Sequence, residues 1–203
     1  MKQAYSFGLY RQEISLGSNN YLYGFINKKG QWVIEPQFTY VSNGFDKFGY
    51  SIAKKGDLYG FINPRGEWLI NPVFDGIGMG FGANNCCTAS INKQWGMIDR
   101  MGNWLFEPKF QMLGMGIDKK GFCPAQLNDK WGFINKDGLW IIPPTFDSMY
   151  CEPTGIRISS FRDGNTCIIQ LNNHSYRINR RGNLTSLLSH SEVFPTTYFP
   201  VSS

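Results

Sequence analysis

Histidine is nearly missing from this chain: only His174 and His190 occur in 203 residues. Neither has a serine, cysteine or aspartate partner in a pattern that suggests a nucleophile and its base. The five cysteines contain no Cys-x-x-Cys and have no histidine nearby, which argues against a zinc ribbon or a thioredoxin-like redox motif. No apolar run approaches the ~20 residues that span a bilayer, which argues against membrane insertion. No uninterrupted apolar segment precedes Arg11 and Glu13, so the ordinary secretory signal pattern is absent. No long 3.6-residue apolar period is present, which argues against any substantial helix. The glycine-rich stretch Gly76 to Gly82 could suggest a phosphate cradle, but such a cradle needs a helix N-terminus after it. With no convergent catalytic constellation, metal-ligand spacing or cofactor motif, the sequence reads as non-enzymatic, with no cofactor and no metal.

What the chain has instead is a repeated phrase. Aromatic-Gly-apolar-Ile-Asn/Asp begins at Tyr23, Tyr59, Trp95 and Trp131, each 36 residues after the last. Each copy continues to a glycine (Gly30, Gly66, Gly102, Gly138) and a tryptophan (Trp32, Trp68, Trp104, Trp140). A proline (Pro36, Pro72, Pro108, Pro144) and a phenylalanine (Phe38, Phe74, Phe110, Phe146) follow. A fixed period of this size marks a repeat architecture.

Physically the phrase is a β-hairpin. Asn27-Lys28-Lys29-Gly30 is a turn: the asparagine side chain can bond its own backbone two residues on, and glycine takes the left-handed conformation at little cost. Trp32-Val33-Ile34 returns, and Pro36 is expected to end the strand because it cannot donate to a ladder. Segments such as Ser51 to Lys54 supply a preceding strand, so each unit reads as a three-stranded antiparallel meander. A short fourth strand is suggested at Phe74 to Ile77 and its equivalents. The glycine after each signature aromatic predicts an aromatic ring lying over bare backbone.

A degenerate fifth unit carries Arg177-Ile178-Asn179 at an offset of 44 from Phe133-Ile134-Asn135, with Ser175-Tyr176 in place of Trp131-Gly132. Residues 1–22 read as the second half of a unit, with Gly8 aligned to Gly44 and Ser15 to Ser51. The repeat domain therefore covers 1–184, and 185–203 is an irregular cap or tail. The fold class is all-β: tandem antiparallel meanders in an open solenoid-like array, with a five-bladed β-propeller as the alternative.

Lys130-Trp131-Gly132-Phe133-Ile134-Asn135-Lys136-Asp137-Gly138, followed by Ile141-Ile142-Pro143-Pro144-Thr145-Phe146-Asp147, resembles the bacterial WG-repeat (KWG) family. The resemblance covers about residues 1–184, with tyrosine for tryptophan in the first two copies. It implies an interaction module and assigns no common activity.

Cys87, Cys123 and Cys167 share one repeat position, held earlier by Ser15 and Ser51. A column of small buried side chains explains them better than a metal or redox site. Reduced thiols and the missing signal favour a cytoplasmic location, with signal-less export open. The formal charge of +5 gathers on the hairpin turns, at Lys28, Lys29, Arg65, Arg100, Lys136, Arg180 and Arg181. Such a basic rim suits solubility or an acidic protein face; nucleic acid is a weaker fit because the aromatics are assigned to the core.

These observations converge on a protein-binding module, with an immunity or inhibitor protein for a bacterial toxin as the specific form. A cell-wall or host glycan-binding module is the alternative, and an enzyme with an undescribed site the minor one. Repeated residues serve the core, so specificity is expected in the divergent loops. The candidate partner-binding residues are Phe45, Phe48, Phe81, Asn84, Asp118, Lys119, Lys120, Arg157, Phe161 and Arg162. The phenylalanines qualify because they show no fixed place in the core pattern.

Overall fold

The hairpin of each repeated phrase begins with the same side-chain device. In the computed structural model, Asn27 Oδ1 accepts hydrogen bonds from the backbone N–H groups of Lys29 (2.8 Å) and Gln31 (3.1 Å). Gly30 closes the turn at a φ of 76°. Asn63, Asp99, Asn135 and Asn179 repeat this arrangement. The structure describes residues 7–18, 20–82, 84–114, 116–150, 161 and 166–187. Among them there is no helix, hence none long and apolar enough to cross a membrane.

The strands group into five sheets in chain order. Sheet 1 holds β1 (Tyr10–Gly17), β2 (Asn20–Ile26) and β3 (Trp32–Phe38). Sheet 2 holds β4 (Tyr40–Val41), β5 (Ser51–Lys55), β6 (Leu58–Ile62) and β7 (Trp68–Phe74). Sheet 3 holds β8 (Gly76–Ile77), β9 (Cys87–Ile91), β10 (Gln94–Ile98) and β11 (Trp104–Phe110). Sheet 4 holds β12 (Met112–Leu113), β13 (Cys123–Leu127), β14 (Lys130–Ile134) and β15 (Trp140–Phe146). Sheet 5 holds β16 (Ser148–Tyr150), β17 (Thr166–Leu171), β18 (His174–Asn179) and β19 (Leu184–Ser186). All pairings are antiparallel between neighbours, so each sheet is a meander and the short fourth strand read from the sequence is real.

The long strands run straight through their prolines, which corrects the expectation that proline ends them. Tyr23 pairs with Phe38 and Phe25 with Ile34, so the single residue Gly24 faces three, Glu35, Pro36 and Gln37. That is a β-bulge, a place where a proline's missing N–H does no harm. The bulge also corrects the reason for the glycine. A Cβ at Gly24 would meet the backbone of Ile34, Glu35 and Pro36, with Pro36 N at 2.9 Å. Gly60 and Gly132 face the same backbone obstacle; at Gly96 the Trp104 ring joins it, at 2.9 Å. Partner-strand backbone, rather than a ring, is the common cause.

Both faces of the inner sheets are buried against neighbours. Phe25, Ile34 and Phe38 of sheet 1 meet Val41, Ala53 and Ile62 of sheet 2. Phe61, Ile70 and Phe74 meet Cys87, Ala89 and Ile98. Met97, Phe106 and Phe110 meet Cys123, Ala125 and Ile134. Phe133, Ile142 and Phe146 meet Cys167, Ile169 and Ile178. Each interface sets bulky side chains against small ones, the alternation that dense packing requires. A fully buried phenylalanine contributes about 2–3 kcal/mol, so these triads dominate stability. Edge-to-face pairs tie successive units: Phe38–Trp68 at 5.5 Å, Phe74–Trp104 at 5.8 Å and Phe110–Trp140 at 5.5 Å between centroids. Among the described residues the core clusters join each sheet to the next and none joins the fifth to the first, so the array is open.

Sheet 1 departs from the sequence alignment. Tyr10, not Ser15, stands opposite Ile26 as Ser51 stands opposite Ile62. The first hairpin is longer than the others, and its extra length shifts the whole of β1.

Candidate functional site

Two of the divergent loops, between β4 and β5 and between β12 and β13, repeat the asparagine-turn device with aspartate. Asp46 Oδ1 accepts from the N–H groups of Phe48 (2.8 Å) and Tyr50 (3.0 Å). Asp118 Oδ1 accepts from Lys120 (2.9 Å) and Phe122 (3.0 Å). These loops lie on the same edge of the array as the hairpin turns and interlock with them.

Two arginines make the lock. Arg100, in the turn between β10 and β11, sets Nη1 2.7 Å from Asp46 Oδ2 of the preceding unit's loop. Its guanidinium carbon lies 4.2 Å from the Phe48 ring centroid, 4.7 Å from Phe81 and 5.0 Å from Tyr50. Its Nε donates to Asn85 Oδ1 at 3.2 Å. Arg180, at the same repeat position two units on, sets Nη1 2.7 Å from Asp118 Oδ2, with Phe161 at 4.4 Å and Phe122 at 5.0 Å. Its Nη2 donates to the Phe161 carbonyl at 3.2 Å. Between the two locks, Asn84 Nδ2 donates to the carbonyls of Ile117 and Asp118, both at 3.3 Å. An arginine on aromatic faces with a carboxylate partner gains cation–π and charge-assisted energy together. Arg100 and Arg180 therefore belong to the framework and not, as the composition suggested, to a solvated rim.

The structure sorts the predicted binding residues. Phe45, Phe81 and Phe161 are buried, which corrects their assignment as partner anchors. They occupy a repeat position after all. Phe45 packs on Phe25 at 4.9 Å, Phe81 on Phe61 at 4.6 Å and Phe161 on Phe133 at 4.5 Å. In the remaining unit Ile117 joins the cluster of Met97. Asn84 and Asp118 link loops to each other. Phe48 is 53% exposed, and Lys119 and Lys120 are exposed in the corresponding loop two sheets on. Arg157 and Arg162 lie outside the described residues.

Sequence reasoning missed two exposed residues here, Met79 at 65% and Met101 at 82%. Lys28, Lys29, Lys47, Arg65, Lys136 and Arg181 are exposed on the same edge, with Glu67 and Asp137 as local partners of Arg65 and Lys136. The opposite edge balances its charges. There Asp75 accepts from Ser90 Oγ and from the Lys93 N–H, and Asp147 pairs with Lys130 and accepts from the Asn172 N–H. The Ser90 hydroxyl holds the Asp75 carboxyl below the ordinary range, and Lys130 does the same for Asp147. Both aspartates, 72 residues apart and so at one repeat position, thus cap the hairpin turn that follows them.

The cysteines lie inside. Burial pushes the Cys87 and Cys123 thiols up to about 12, which leaves them protonated and poorly nucleophilic near neutral pH. Cys167 is buried at the equivalent position; Cys151 lies outside the described residues.

Comparison with known proteins gives one family. The family model described as WG containing repeat matches residues 23–59, 59–93, 95–131 and 131–153. No curated protein matches the chain. Among solved structures, the crystal structure of a protein of unknown function from Bacteroides caccae is similar over 87% of this chain and 71% of its own, at 14% identity and a TM-score of 0.35.

Proposed function

The chain belongs to the WG containing repeat family, and on that footing we propose that it is a non-catalytic protein-binding array that receives an acidic partner along its loop edge. One observation carries this reading. Loops and turns of successive units interlock into one rigid edge whose exposed side chains are basic and punctuated by Phe48, Met79 and Met101. Exposed aromatic and methionine side chains in a charged surround are the composition of interface anchors. A preformed edge also saves the ordering cost that mobile loops incur on binding. An immunity or inhibitor role against a bacterial toxin is the finer form of the proposal, and it requires a captured partner whose activity falls on binding.

The test compares two charge-and-anchor variants as bait against extract from the native source. One carries Phe48→Ala, Lys119→Glu and Lys120→Glu; the other carries Lys93→Glu and Lys130→Glu on the opposite edge. A partner retained by the wild type and the second variant but weakened more than ~tenfold with the first supports the proposal. Its affinity should fall with added salt, as screened charge contacts do. A partner that tracks the opposite edge, or is indifferent to both variants, overturns it.

A further inference from the structure

A cleft of about 370 Å³ opens between sheets 2 and 3, away from the loop edge. One wall, from sheet 2, presents Tyr40 and Tyr59, whose rings meet edge to face at 6.2 Å. The other wall, from sheet 3, presents Asp75, Gly76, Gly78 and Trp95. Its origin lies in the sequence of one unit. At the position of Gly76 the other units carry Tyr40, Met112 and Ser148. Sheet 3 thus lacks the side chain that pairs with the signature aromatic in sheet 2. Its Trp95 ring instead lies against Gly76 backbone, 3.0 Å from where a Cβ would stand.

The chemistry of the walls is specific. Three aromatic side chains supply flat apolar surface. Asp75 is ionised near neutral pH, and it accepts from Ser90 and from the backbone N–H groups of Lys93 and Asn92. A carboxylate has about four acceptor sites, so capacity for further donors remains. Behind the tyrosine wall, Lys54 is the register partner of both Tyr40 and Tyr59. Its ammonium lies 5.2 Å over the Tyr59 ring and 3.8 Å from Asp57. An anion would meet the Asp75 carboxylate, and a cation would compete with Lys54 for the Tyr59 ring, so a neutral ligand suits the cleft better than either.

We propose that this cleft binds one ring of a neutral saccharide. A pyranose ring has C–H faces that pack on aromatic rings and equatorial hydroxyls that both donate and accept. It meets the tyrosines and tryptophan with its faces and Asp75 with donated hydroxyl hydrogens. The volume lies at the small end of the range for small-molecule sites, enough for a single ring with the rest of the chain outside.

The test titrates the full chain with three neutral trisaccharides: the β-1,4-glucose, α-1,4-glucose and N-acetylglucosamine trimers. Calorimetry and tryptophan emission give the readout, and the three arms separate wall-type from storage-type sources. At least one should bind with a Kd of ~1 mM or tighter. Tyr40→Ala, at a 42% exposed position, should weaken it at least about tenfold while leaving thermal unfolding near the wild-type midpoint. Asp75→Asn should weaken it too, and Phe48→Ala on the loop edge should not. No binding by any trimer at about 10 mM, or binding unaffected by Tyr40→Ala, overturns the proposal. So does tetramethylammonium or free arginine binding more tightly than every trimer with dependence on Asp75, which would make the cleft a cation site.

Discussion

Sheets 1 to 4 and sheet 5 start from the same asparagine or aspartate turn, yet only the first four carry a bulge. In sheet 4, Gly132 faces Pro143, Pro144 and Thr145. In sheet 5, Tyr176 stands at the glycine's position, and the pairing of β18 with β19 runs without a shift: Tyr176 with Ser186, Arg177 with Thr185, Ile178 with Leu184. Glycine and bulge occur together and vanish together, which identifies them as one device. With the bulge gone, the triad that every earlier sheet presents to its successor goes too: Arg177 stands where Phe133 stands one unit before.

Valine at the two equivalent positions tests this most strongly. Gly96→Val drives a side chain into Phe106 O and Pro108 N, whose distances from an added Cβ are 2.7 and 2.8 Å, and should cost about 3 kcal/mol. Tyr176→Val, in the unbulged sheet, should cost no more than about 1 kcal/mol, because a β-branched residue suits a regular strand. Equal losses by chemical denaturation would show that the bulge does not explain the glycine.

A smaller effect separates what holds the sheets. Sheet 5 meets sheet 4 without the Phe–Trp pair that ties the earlier units, since Leu184 replaces the tryptophan. Arg180, 15% exposed in its side chain, should therefore matter more to its own sheet than Arg100 does to sheet 3. Arg180→Gln should cost about 2 kcal/mol and speed amide exchange in β17 and β18 while β5 and β6 stay protected. Uniform loosening across all five sheets would remove this distinction.

The smallest effect concerns the turns. Asp99 stands where four other turns have asparagine. Burial alone would raise its carboxyl; N–H donors from Asn103, Met101 and Gly102, with the Asn103 side chain, outweigh that and hold it below the ordinary range. Its contribution is thus present above the unfolded carboxylate value of about 3.9 and is lost as pH falls through the depressed folded value. Asp99→Asn should keep the turn and remove that part of the acid sensitivity. Matching acid-unfolding curves for the two proteins would show that the donors at this turn add nothing.

Much of this architecture was legible because the repeat writes one hairpin several times. The meander, the turn chemistry and the short fourth strand all follow from turn residues and alternating apolar positions. The bulge was not legible, since glycine and proline are ten or more residues apart and each has a commoner explanation alone. The loop phenylalanines were misread for a related reason. Phe45, Phe81 and Phe161 keep their place in the period, but Ile117 interrupts the aromatic series and the surrounding loop residues diverge. The arginine locks depend on how neighbouring sheets stack, which no local pattern encodes. Of the candidate edge, the exposed lysines and Phe48 were visible in sequence; Met79 and Met101 were not, because nothing in their spacing distinguishes them from core methionines.

The recurring match of three bulky apolar residues against an alanine and an isoleucine makes the joints among the first four sheets nearly interchangeable. An array with interchangeable joints has a length that evolution can edit in whole units. Duplicating or deleting one 36-residue segment within the regular region leaves every remaining joint chemically familiar and moves the far end by roughly the ~10 Å spacing of packed sheets. Reach along a partner is then a heritable variable separate from stability, and two such proteins could share every joint yet grip surfaces of different size.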